Sequence, residues 1–206
     1  MRRKEFEVMD DQETEQFLHE MSFGFLGTWG EDGWPRLTPL NFVFHEGSLY
    51  FHGSRAGEKM NQIQSNPKVT FAVAKEYAII PSYFTDPELA CPATAFFKSV
   101  LIRGYAEPVS DPAEKASALS AFMRKLQPEG GYNPIDPADP DYAGQLKATA
   151  VVRIAIQELS AKYKFGQNMN STKFEQVTEG LQQRDAGLDA ETIALMKAYC
   201  PHHQKK

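Results

Sequence analysis

Two glycine-containing polar turns divide residues 22–52 into three strand-length apolar runs, and this pattern restricts the possible folds more than any other feature. Ser22–Trp29, SFGFLGTW, is dense in aromatic, β-branched and small residues. Gly30-Glu31-Asp32-Gly33 then forms a turn, and Trp34–Phe44 resumes a strand pattern. Leu40, Phe42 and Phe44 fall on one side of that run, with Asn41 and Val43 on the other. After the second turn, His45-Glu46-Gly47-Ser48, Leu49–His52 completes an antiparallel meander. Val69–Ala74, Phe96–Val109 and Ala148–Ile156 supply further strands. Six or so antiparallel strands, with helices between and after them, place the chain in a mainly β class with helices (β-barrel or α+β). A closed or nearly closed barrel is expected, since closure removes exposed sheet edges.

Helix signals lie between the strands. Asp10 and Glu13 have capping-box spacing ahead of a helix running to Glu20. Ala56–Ser65 is a short helix with Met60 and Ile63 on its apolar face and Ser54 near its start, stopped by Asn66-Pro67. Asp111-Pro112-Ala113-Glu114 opens another, with Leu119, Phe122, Met123 and Leu126 facing one way. Lys75–Ala95 and Pro128–Gly144 read as loops. In the first of these, Tyr77, Tyr83 and Phe84 are candidates for a substrate wall. Two helical patterns end the chain, marked by Phe174, Val177 and Leu181 and then by Ile193, Leu195 and Met196.

The chain has 206 residues, is 42% apolar and carries a net charge of −5. That is enough for a substantial core, and the mixed charge disfavours a broad nucleic-acid surface. No apolar run is long enough for a membrane span, and MRRKEFEVMDDQ lacks the apolar segment of a secretory signal, so a cytoplasmic location is expected. Cys91 and Cys200 are far apart and read as free thiols. Cys200, His202 and His203 surround one proline at the C-terminus, an arrangement that rarely closes a metal site, so no metal is expected.

Ser54, Arg55, Gly57 and Lys59 combine a hydroxyl, two cations and an open backbone near a helix start. This chemistry suits a phosphate, and equally a solvated helix start. No GxxxxGK[ST] sequence occurs, which argues against a nucleoside triphosphate. Pro39 interrupts a strand and leaves the backbone of Thr38–Asn41 available to a ligand, or else marks a barrel edge. His52 can hydrogen-bond a ligand or serve the structure.

The segments PRLTPLNFVFHEGSLYFHGSRAGEK, NPKVTFAV and FFKSVLIRGYAEPVSDPAEK together resemble the pyridoxamine 5′-phosphate oxidase-like, FMN-binding split-barrel superfamily, and within it the nitroimidazole-resistance (Nim-like) branch. The resemblance covers residues 1–160, with 161–206 as a C-terminal loop and helical extension on the same domain. It implies a split β-barrel homodimer with FMN at the subunit interface. Thr38, Pro39, Leu40 and Asn41 would lie beside the isoalloxazine, His52, Gly53 and Ser54 would lead toward the ribityl chain, and Arg55, Gly57 and Lys59 would face the phosphate. Phe97, Lys98, Ser99 and Val100 would approach the same cofactor, from the partner subunit. KYKFGQN is similar to a run that follows the last barrel strand in related flavoproteins, which implies that Lys164, Gln167 and Asn168 reach the flavin; a helix-entry loop is the alternative. Gly166 replaces the serine usual in that run. The Trp- and Arg-bearing end that clamps pyridoxamine phosphate in true oxidases has no clear match, which places vitamin B6 synthesis in doubt.

The reaction class implied is an FMN-dependent oxidoreductase that takes electrons from a transient NAD(P)H and passes them to a small aromatic or nitro-aromatic acceptor. No catalytic residue is singled out, because flavin chemistry needs mainly orientation and electrostatic tuning. A non-enzymatic flavin-binding or redox-sensing protein and an FMN-linked transcriptional regulator are the alternatives. Haem, used by some split-barrel relatives, has no axial ligand marked in the sequence.

Overall fold

The structure, a computed structural model, describes residues 3–8 and 10–200. Eight strands and six α-helices follow the order β1 (Glu7–Val8), α1 (Asp11–Glu20), β2 (Phe23–Trp29), β3 (Pro35–Asn41), β4 (Val43–His45), β5 (Ser48–Gly53), α2 (Glu58–Ser65), β6 (Lys68–Ile80), β7 (Thr94–Pro108), α3 (Pro112–Leu126), α4 (Pro140–Ala148), β8 (Ala150–Lys164), α5 (Ser171–Arg184) and α6 (Asp189–Tyr199). The contacts divide the chain into two compact units. One, the sheet unit, holds residues 10–73 and 101–160; the terminal unit holds residues 74–100 with the described residues of both chain ends. Strands β6, β7 and β8 contribute residues to each.

The strand order is β3-β2-β6-β7-β8-β5-β4, with β1 pairing β8. This is an open path ending on β3 and β4. Those two strands are consecutive in sequence, so the expected single strand over Trp34–Phe44 is in fact two. At Phe42 the chain leaves one end of the path and enters the other. Phe42 and Val43 are both buried, which ends the period-two pattern there. The β4–β5 hairpin pairs His45 with Ser48, and Glu46 and Gly47 sit at φ 48° and 72°. Two left-handed residues in succession match the twist of a two-residue hairpin.

Within the sheet unit, α1 is capped by Asp10, which accepts from the amides of Gln12 and Glu13. Asp111 caps α3 in the same way, with Pro112 in the first turn. Phe122 and Ala118 of α3 pack on Tyr50, Val109 and Val151, while Leu126, expected on that face, is exposed. Arg153 of β8 fastens α3 further, donating to Glu114 at 3.1 Å, and Glu114 also accepts from the Tyr50 hydroxyl at 3.0 Å. The loop expected over Pro128–Gly144 ends in α4, where Asp139 caps and Pro140 begins the helix. Phe23, Phe25 and Trp29 of β2, Leu37 of β3, and Leu101 and Tyr105 of β7 are exposed.

The terminal unit corrects a second loop. β6 continues to Ile80, so Tyr77 lies in a strand and is buried against Phe165, not in a substrate-facing loop. Tyr83 remains exposed, while Phe84 covers Gly180 of α5, where a Cβ would meet its ring at 2.6 Å. β8 likewise runs on to Lys164, past the expected end at Ile156. Asp189, buried at the start of α6, is held by Arg184 through two hydrogen bonds of 2.6 and 2.8 Å. Cys91 and Cys200 are free. His202 and His203 lie outside the described residues; among those described, no His, Cys, Asp and Glu cluster could hold a metal. No described helix is long and apolar enough to cross a membrane.

Candidate functional site

The sequence-derived site residues fall into two sets, one in each unit. Thr38–Asn41 and His52–Lys59 belong to the sheet unit; Phe97–Val100, Lys164, Gln167 and Asn168 belong to the terminal unit.

In the sheet unit, β3 pairs only with β2, placing Thr38 opposite Leu26, Pro39 opposite Phe25 and Leu40 opposite Gly24. Among the described residues its other edge has no strand partner. Pro39 is tolerated there because an edge strand loses little when one amide donor is missing. Leu37, Pro39 and Asn41 are exposed while Thr38 and Leu40 are half-buried, so β3 presents an apolar strip beside unpaired backbone groups. Asn41 is tied down by its amide, which donates to Ser22 O at 3.0 Å.

The second part is the exposed segment where α2 begins. Gly57, the residue before the helix, adopts φ 122°, a conformation that L side chains rarely take, and a Cβ there would meet nothing within 4 Å. Among the described residues no side chain caps the helix start. Lys59 stands in the first turn, where its charge opposes the positive end of the helix dipole. Its Nζ lies 4.9 Å from the centroid of the Phe51 ring, and burial lowers its pKa. His52 sits nearby with its ring edge-on to Phe122 at 4.9 Å. Partial burial, and then the charge of Lys59, push the His52 pKa down. Glu58 in the same turn is engaged by Arg36 and Gln62, so the Lys59 ammonium and the open backbone at Gly57 are what this helix start offers a ligand. This chemistry suits a phosphate by charge.

Ser54 and Arg55 are partly committed elsewhere. Ser54 Oγ accepts from the Ala56 amide at 3.2 Å. Arg55 Nη1 donates to Lys147 O at 3.0 Å, so its guanidinium turns toward α4.

A side-chain network with no sequence signature joins these two parts. Arg36 of β3 bonds both Asp32 and Glu58, each at 2.8 Å. Glu58 also accepts from Gln62 at 2.8 Å, and Gln62 accepts from the buried Thr28 hydroxyl at 2.6 Å. The chain Asp32–Arg36–Glu58–Gln62–Thr28 thereby fixes the start of α2 against β2 and β3. These bonds hold Asp32 below and Arg36 above their ordinary pKa values.

In the terminal unit, alternation along β7 sends Lys98 and Val100 into the buried side and leaves Phe97 and Ser99 half-exposed. Lys98 Nζ lies 4.8 Å from the Tyr163 ring centroid and 5.9 Å from that of Tyr77. Ser99 Oγ donates to Lys162 O at 3.4 Å, and Lys162 lies over Phe97 at 5.2 Å. Lys164 donates to Thr94 Oγ1, and burial lowers its pKa. Gln167 closes the turn after β8, accepting from the Phe165 amide and donating to Tyr163 O, both at 2.8 Å. Gly166 in that turn has φ 83°, and a Cβ would lie 3.1 Å from Met169 Sδ and 3.3 Å from Phe96, which accounts for glycine in place of serine. Asn168 lines a cavity of about 330 Å³ with Ile80 and Val177.

A family profile described as pyridoxamine 5′-phosphate oxidase matches residues 10–163. None of the curated proteins compared matches the chain. Among solved structures, the chain is similar to the flavocytochrome Anf3 from Azotobacter vinelandii, with 26% identity, 80% of this chain and 73% of that one covered, and a TM-score of 0.63. A candidate 5-nitroimidazole antibiotic resistance protein from Bacteroides thetaiotaomicron is 22% identical over 76% of this chain and 85% of its own, with a TM-score of 0.61. The FAD and heme binding protein from Mycobacterium smegmatis is 16% identical over 84% and 80%, with a TM-score of 0.62.

Proposed function

The chain belongs to the pyridoxamine 5′-phosphate oxidase family, whose split-barrel members bind flavins, and we propose that it is an FMN-dependent oxidoreductase. The observation that carries this reading is the start of α2, which has no side-chain cap and where the open backbone of Gly57 and the Lys59 ammonium stand together, tied through Arg36 and Glu58 to the free edge of β3. Lys59 holds the phosphate, with Gly57 allowing close approach of the helix amides. His52 and Gly53 border the ribityl chain. The backbone of Thr38–Asn41 meets the polar edge of the ring, and the β3 strip covers an apolar face. FMN, when bound, supplies hydride acceptance and donation; the protein sets its orientation and potential. Lys59 and the α2 amides hold the phosphate, and partial burial, then the charge of Lys59, lower the His52 pKa and so favour its uncharged ring near the cofactor.

A second copy of the chain completes the site. A ring held on β3 alone would have one face in water. The exposed Leu37 of β3 and the exposed Phe23, Phe25 and Trp29 of its paired neighbour β2 make a surface of the kind found at protein–protein contacts. In the homodimer, the half-exposed Phe97 and Ser99 beside the buried Lys98 and Val100, and the Lys164–Asn168 turn, supply the later contacts. The acceptor is a small aromatic or nitro-aromatic molecule and the donor a transient NAD(P)H, a branch assignment supported by the nitroimidazole-resistance description of one similar structure. The expected compartment is the cytoplasm.

Stopped-flow mixing of FMN-loaded protein with NADPH or NADH, followed by nitro-aromatic acceptors, tests the reading. Reduction by one donor and reoxidation by an acceptor faster than by oxygen are expected. Failure of both donors to reduce the bound flavin would turn the assignment toward flavin storage or sensing.

A further inference from the structure

The sheet unit contains a cavity of about 620 Å³ whose charged lining has one sign: Arg55, Lys115 and Lys147 border it, and none of the lining residues is acidic. Its volume falls in the range of small-molecule sites. Met60, Leu146 and Val151 give it apolar walls. The cations converge on the C-terminal turn of α4. Arg55 donates to Lys147 O at 3.0 Å, and Lys115 donates to Leu146 O at 3.0 Å and Thr149 O at 2.9 Å. These carbonyls are dipoles without formal charge, so they soften the crowding of positive charge and do not neutralise it. Burial and the charge of Arg55 both lower the Lys115 pKa, the direction expected where cations crowd without a counterion. A guanidinium has five N–H donors and an ammonium three, so both side chains retain donors beyond those carbonyl bonds.

We propose that this cavity binds a nucleotide-sized organic phosphate, with the phosphoryl group between Arg55, Lys115 and Lys147 and the organic body against Met60, Leu146 and Val151. The ligand is either a free nucleotide or the outer nucleotide of a flavin dinucleotide whose inner phosphate is held at Lys59. Only the second source rests on the flavin reading given above. Arg55 lies just before α2 and Lys59 in its first turn, so a ligand that used both sites would span that short segment.

The test uses the full chain, flavin-free and FMN-saturated. AMP is titrated calorimetrically into both forms of the wild type and of Lys147→Glu, an exposed position that reverses one cavity charge. FAD and FMN affinities are then compared on the flavin-free proteins. A free-nucleotide site predicts AMP binding to FMN-saturated wild type that falls at least tenfold in Lys147→Glu. A dinucleotide site predicts FAD binding at least tenfold tighter than FMN, with that advantage lost in the variant. Lys115→Met, checked for an unchanged melting curve, should reproduce either loss while leaving FMN affinity within twofold. Absence of both AMP binding and an FAD advantage, or either effect unchanged in Lys147→Glu, would overturn the proposal. Loss of FMN binding alone would instead count against the flavin site.

Discussion

Replacing Lys59 with methionine tests the phosphate site with little disturbance of its surroundings. Methionine keeps an unbranched stem over the Phe51 ring, where the Lys59 ammonium lies 4.9 Å from the centroid. Only the charge and the donors are lost. A hydrogen bond to a charged group contributes about 1.5–3 kcal/mol. At about 1.4 kcal/mol per tenfold, FMN affinity should fall roughly 10- to 150-fold. Partial burial of Lys59 favours the upper part of that range, because some dehydration of the ammonium precedes ligand arrival. Quenching of flavin fluorescence gives the dissociation constants. Riboflavin is the control: it has the ring and ribityl chain without the phosphate, and its affinity should stay within twofold. FMN affinity unchanged in Lys59→Met, or FMN and riboflavin weakened equally, would refute the assignment of Lys59 to the phosphate.

Leu37→Asp places a charge on the exposed apolar strip of β3 and should convert the proposed dimer to a monomer in sedimentation equilibrium, with weaker FMN binding; a wild type that is already monomeric in the presence of FMN would refute the shared site. Gln62→Leu strands the buried Thr28 hydroxyl and frees one side of Glu58, with an expected loss of about 1–3 kcal/mol in urea unfolding. Lys125 donates to Leu18 O and Met21 O at the end of α1, and burial lowers its pKa to about 8. The unfolded chain, with lysine near about 10.4, holds more protons between those values. Wild-type stability should therefore rise between pH 8 and about 10.4, by about 1–2 kcal/mol after allowance for solvent screening, and be flat with respect to this group below pH 8. Lys125→Met should remove that slope; an identical pH profile in the variant would show that another group titrates.

Local signals made much of the fold legible. Asp10 and Asp111 cap the helices their spacing marks, and His45–Ser48 makes the hairpin turn its glycine requires. Where tertiary packing overrode alternation, the sequence pattern misled. Phe42 and Val43 are buried in succession because the strand changes sheet neighbours there, and Tyr77 and Ala78 are buried in succession within β6, which hid its continuation to Ile80. Proline-rich composition masked α4, although Asp139-Pro140 has the same capping logic as Asp111-Pro112.

The candidate site divides along the same line. Gly57 and Lys59 were readable because a helix start concentrates their chemistry within a few residues. Arg36, Glu58, Gln62 and Thr28 were not, since each acts through a partner on another element. Arg55 shows the limit best: its composition suits a phosphate, yet its guanidinium bonds a carbonyl at Lys147, far along the chain. The cavity it borders is assembled from α2, α3 and α4, so no local motif marks it.

The most direct measurement is the absorption spectrum of the purified full chain, before and after incubation with FMN, with the released cofactor identified by mass. A flavin site predicts near-ultraviolet and blue flavin bands and a released mass matching FMN or FAD. A protein that shows no flavin bands even after incubation, or only the Soret band of haem, would contradict flavin binding.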